Sequence, residues 1–121
     1  MLLVGTTFAP SVALADYIVN FNCRVSGLLS DYPLDMCMGS SGYIELTENG
    51  RKKIIQTNDL YRSYEYNDLR NLGRITVPDS FQIRVQNKLE DSVLSISIKD
   101  LNGNEVFRDE VPRYGVINVG N

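Results

Sequence analysis

The side chains that could do chemistry are scattered carboxylates, two cysteines, and a run of tyrosines and arginines in the middle of the chain. Histidine is absent, so neither a Ser-His-Asp nor a Cys-His nucleophile can be assembled. Catalysis by carboxylates alone needs only two acids. The acids nearest to turns are Asp31, Asp35, Glu48, Asp100 and Glu105. No spacing pairs them, and they read as solvated surface charge. The run Asp100-Leu101-Asn102-Gly103-Asn104-Glu105 gathers side-chain oxygens. It lacks the glycine and bidentate glutamate positions of an EF-hand loop and reads as a hairpin turn. Two cysteines without histidine fall short of a usual zinc sphere. No Gly-rich loop leads from a strand into a helix to cradle phosphate. The sequence therefore carries no expectation of an enzyme, a metal or a cofactor.

The cysteines, Cys23 and Cys37, suggest a disulfide, because an even count in a short exported chain usually forms one. Such a bridge closes a loop of about 15 residues and contributes roughly 3 kcal/mol by restricting the unfolded chain. Export is the expectation for residues 1–15, MLLVGTTFAPSVALA. They carry no charge and end in Ala13-Leu14-Ala15, short side chains of the kind a signal peptidase accepts, with Asp16 then first in the mature protein. The basic start of a signal peptide is missing, as it would be if the start codon were assigned too late. The stretch is too short and too interrupted to span a bilayer. Residues 16–121 are expected to form one domain in the periplasm or outside the cell.

Two segments are candidates for binding. The first joins Arg51, Lys52, Lys53, Arg62, Arg70 and Arg74 with Tyr61, Tyr64 and Tyr66. Arginine and tyrosine are strong interface anchors, and tyrosine rings also stack on sugars. The second is the loop 26–42, with Tyr32, Asp35 and Met38 beside Asp31, which a disulfide would preorganise. Its Leu28, Leu29 and Leu34 suit a simple cover for the core. Charge follows the same division: residues 16–50 sum to −4, 51–75 to +3 and 76–121 to −2. A net charge of −3 argues against a dedicated nucleic-acid binder.

Strands must position these residues. In 17–25, Tyr17, Val19, Phe21, Cys23 and Val25 alternate with polar residues, which predicts a half-buried strand with the Cys23 sulfur inward. Asn49-Gly50 between 43–48 and 51–57 predicts a type I′ hairpin. Residues 58–73 predict a loop with at most one short helix near 58–72, with Leu60, Tyr61, Tyr64 and Leu69 on one side. Further strand patterns cover 74–77, 80–88, 92–100, 105–111 and 114–119. The sum is an all-β domain, an antiparallel β-sandwich or small β-barrel of about seven strands. The functional expectation is a non-catalytic interaction protein, an inhibitor or an accessory subunit of an envelope assembly. The alternatives are a carbohydrate-binding module using the tyrosines and a subunit whose final strand adds to another sheet.

Overall fold

The computed structural model describes residues 16–27 and 32–121. The expected signal peptide, together with Leu28, Leu29 and Asp31, lies outside the described residues. The described residues form eight strands, not seven: β1 Tyr17–Val25, β2 Tyr43–Glu48, β3 Arg51–Gln56, β4 Arg74–Val77, β5 Phe81–Gln86, β6 Ser92–Asp100, β7 Glu105–Pro112 and β8 Val116–Gly120. They form two four-stranded antiparallel sheets, ordered β4-β1-β6-β7 and β3-β2-β5-β8. The arrangement is an open sandwich and not a closed barrel.

Alternation places the core between the sheets. Val19, Phe21 and Cys23 of β1 and Leu94, Ile96 and Ile98 of β6 are buried on one side. Ile44 and Leu46 of β2, Ile83 and Val85 of β5, and Ile117 of β8 are buried on the other. The predicted hairpin has positive φ at both central residues, Asn49 at 52° and Gly50 at 80°. The type I′ geometry requires this, and it sets Glu48 opposite Arg51.

Helical content exceeds the expectation. The 26–42 loop contains a short helix, α1, Leu34–Met38. The segment after β3 holds α2, Asp59–Arg62, then a 3-10 turn at Tyr64–Tyr66, then α3, Asn67–Leu72. It carries the chain from the edge of one sheet to the edge of the other. Leu60 and Leu69 fasten it to the core, whereas Tyr61 and Tyr64 are exposed, so the four residues expected on one side divide between two. The Asn58 side chain caps nothing; the Asp59 carboxylate accepts from the Gln56 N–H at 2.8 Å instead. Gly73 ends α3 with φ of 64°, and a Cβ there would stand 2.4 Å from the Phe21 carbonyl oxygen. Only glycine lets the chain turn so close to β1.

One buried polar joint ties the two sheets at the α1 end. Asn87, fully buried between β5 and β6, donates from Nδ2 to Ser92 Oγ at 2.9 Å and to the Val111 carbonyl at 3.2 Å. Its Oδ1 accepts from the Leu89 N–H and from Ser92 Oγ. Its backbone exchanges hydrogen bonds with Gly115 and Tyr114, on the link into β8. No polar group of this side chain is left unpaired, the condition for burying an amide at little cost.

Candidate functional site

The two candidate segments, far apart in sequence, meet on one surface. The Cys23 and Cys37 sulfurs are bonded at 2.03 Å, across a sequence separation of 14. The bridge fixes α1 to β1, and two backbone bonds extend the attachment: Tyr32 N–H to the Cys23 carbonyl at 2.7 Å and Lys88 N–H to the Cys37 carbonyl at 2.7 Å. Leu34 and Met38 point into the core. Met38, expected at a binding surface, is fully buried and is a packing residue. The periodicity of a five-residue helix explains this: Leu34, Cys37 and Met38 share its inward face, leaving Asp35 and Met36 outside.

Asp35 then makes the junction. Its Oδ2 accepts a hydrogen bond from the Tyr61 hydroxyl on α2. Its Oδ1 is shut away from solvent without a hydrogen-bond partner. The Arg70 guanidinium of α3 lies over the Tyr61 ring at 5.0 Å from the centroid, within the range of a cation–π contact. The hydrogen bond to Asp35, then burial and the Asp35 charge, raise the Tyr61 pKa above the ordinary 10.0, against an opposing pull from Arg70. The result is a stack of three side chains from three helices: Asp35, Tyr61 and Arg70.

Around this stack the other expected residues are outward. Tyr64 is 91% exposed, Tyr61 55% and Tyr32 37%. Arg62 is exposed and Arg70 half-buried. Tyr61, Arg62, Ser63, Tyr64, Asn67 and Arg70 line a shallow hollow of about 220 Å³. Tyr66 is separate from them. It packs half-buried against the core, with Lys53 5.7 Å from its ring centroid. Burial raises its pKa first, and the Glu65 and Asp59 charges add to this against Lys53. It lines a different cleft of about 370 Å³ between β3 and β4, whose charges pair internally: Lys53 with Glu48 and Glu65, and Arg74 with Asp68.

No family model, curated protein or solved structure matches this chain. The reading of the surface rests on its own geometry.

The remaining sequence candidates are structural. Asp100 folds back on its own turn, accepting from the N–H groups of Asn102 at 2.9 Å and Asn104 at 3.0 Å. Those bonds, the Asn104 N–H first, hold its carboxyl below the usual range. Among the described residues no three His, Cys, Asp or Glu side chains are grouped to hold a metal ion. No described helix is long and apolar enough to cross a membrane. The last run is an edge strand of this domain's own sheet, paired with β5 and anchored by buried Ile117.

Sequence reading missed two features of the surface. One is the Asp35–Tyr61 link, which no local pattern marks. The other is Arg113 stacked 4.6 Å over exposed Tyr114, whose φ of 69° is rare for a bulky residue. No periodic pattern marks a two-residue turn of that kind.

Proposed function

We propose that this domain is a non-catalytic interaction protein that binds a protein partner through the surface built on α1, α2 and α3. The observation that carries the reading is the convergence of Tyr61, Arg62, Tyr64 and Arg70 on one hollow that Asp35 joins to a disulfide-tied helix. A ring as open as Tyr64 contributes little to folding, yet tyrosine and arginine are the residues that dominate interface energetics. Anchors held by the Cys23–Cys37 bridge and by the Asp35 hydrogen bond lose less freedom on binding, so more of their contact energy appears as affinity. The disulfide is compatible with an oxidising compartment, in keeping with a periplasmic or secreted inhibitor or accessory subunit.

The test uses the full oxidised chain as bait for an envelope extract. A stoichiometric protein partner is expected, lost with Tyr64→Ala or Arg62→Ala while the circular dichroism spectrum is unchanged. Retention of that partner by both variants moves the interface elsewhere. A second reading, glycan binding, draws support from the tyrosine-walled hollow, since sugar faces stack on such rings. Glycan-array binding that Tyr64→Ala abolishes, with no protein captured, favours it over the first.

A further inference from the structure

The twelve basic side chains of this acidic protein are not equivalent. Lys52 and Arg84 both hold Glu45, Lys53 holds Glu48 and Glu65, Arg74 holds Asp68, Arg108 holds Glu105 and Arg113 holds Glu90. Among the described residues Arg51, Arg62, Arg70, Lys88 and Lys99 take part in no ion pair. Of these, Arg62 and Arg70 share a hollow, and that hollow has no carboxylate in its lining. Its other polar groups are the Tyr61, Ser63 and Tyr64 hydroxyls and the Asn67 amide. Asp35, bonded to Tyr61, has one oxygen taken by the Tyr61 hydroxyl and the other closed off from solvent. Arg70 is steadied by its stack on Tyr61, so its donors are held in place before any ligand arrives.

We infer that this hollow is a carboxylate-recognition site that takes an acidic side chain of the protein partner between Arg62 and Arg70. The inference rests on the interaction-protein reading and names the chemistry of the partner's anchor. Guanidinium presents a planar fork of donors that fits a carboxylate in bidentate fashion. The Ser63 and Tyr64 hydroxyls and the Asn67 amide supply further donors for the remaining lone pairs, the Tyr61 proton being already given to Asp35. Two features favour one acidic side chain over a polyanionic glycan. The hollow, about 220 Å³, accommodates a side chain and not a row of charged sugars. A longer anion would also run onto Glu65 and Asp68, which line the neighbouring cleft.

The experiment is a nuclear magnetic resonance titration of the full oxidised chain with capped Gly-Glu-Gly, with capped Gly-Gln-Gly as the neutral control and a sulfated disaccharide as the glycan arm. The glutamate peptide should shift amides of residues 61–70, weaken with added salt, and lose about tenfold or more in affinity with Arg62→Gln or Arg70→Gln. The glutamine peptide should shift nothing. Equal binding of the two peptides, or glutamate shifts that survive both arginine variants, overturns the site. Binding of the sulfated disaccharide alone in the hollow also overturns it, in favour of a glycan. The envelope partner separates the two levels of the argument. Capture lost with Tyr64→Ala but kept with both arginine variants refutes the carboxylate site and leaves the interaction surface standing.

Discussion

The two lateral edges of this sandwich are closed by different means. At the β3/β4 edge, residues 58–73 cross between the sheets as short helices, with Leu60 and Leu69 buried beneath them and disulfide-tied α1 packed alongside. At the β7/β8 edge no helix lies among the described residues. A shallow hollow of about 210 Å³ opens there between Tyr17, Phe81, Phe107 and Val119, with Val106 54% exposed beside it. Charge guards this edge: Glu105, Arg108, Asp109 and Glu110 line β7, Pro112 ends it, and a bulge interrupts its pairing at Ile98/Lys99. Such devices discourage pairing with a foreign strand. On the β7/β8 edge the strand period dictates which way every side chain points. On the strap of helices, a few leucines hold the core and the other positions are free to carry anchors. Recognition is therefore expected on the strap.

The contrast can be broken first at the core. Leu60→Ala or Leu69→Ala should cost about 2–5 kcal/mol in urea denaturation, because each leaves a cavity under the strap. Val106→Ala, on the open edge, should stay within about 0.5 kcal/mol. Comparable losses at both sites would erase the distinction. Next in size is the covalent tie: replacing Cys23 and Cys37 together by serine should cost roughly 3 kcal/mol, from the loop the bridge closes, and should release Asp35 from Tyr61. The hydrogen bond itself is smaller. A double-mutant cycle between Asp35→Asn and Tyr61→Phe should return a coupling of about 1 kcal/mol; a coupling of zero would show that the two helices are held by packing alone.

The smallest effect separates the edges by pH. Glu105, held by Arg108 and Ser97, and Asp100, held by its turn, both have pKa values below their ordinary 4.5 and 3.8. Their contribution is present above those values and is lost as pH falls through the lowered ones. Tyr61 is raised above 10.0, so its contribution is present below that value and is lost as pH climbs through the raised one. Amide hydrogen exchange should loosen around the β6–β7 turn in acid and around α1 and α2 in alkali.

Much of this was legible in the residues. Period-two alternation marks β1, β5 and β6, and Asn49-Gly50 marks the one hairpin whose geometry a dipeptide can dictate. Cys23 was placed inward by the same alternation, which is why its bond to Cys37 lies in the core. The helices of 34–38 and 58–72 were less legible because each is only one or two turns long, too short for a 3.6-residue period to repeat. Met38 was misplaced for that reason: as part of a loop it reads as exposed, and as the last residue of a helical turn it faces inward. The meeting of Asp35 with Tyr61 depends on the path of the strap across the sandwich, which no local pattern encodes.

Asn87 has a mechanical consequence. Its amide bonds to Ser92 and Val111 in one layer while its own backbone is gripped by the strand link that enters the other, so it works as a dowel driven through both. Sliding the layers past each other by a single residue would shear every one of those bonds and leave the buried Asn87 amide unpaired. The two halves are thus expected to come apart together, in one melting transition and not two.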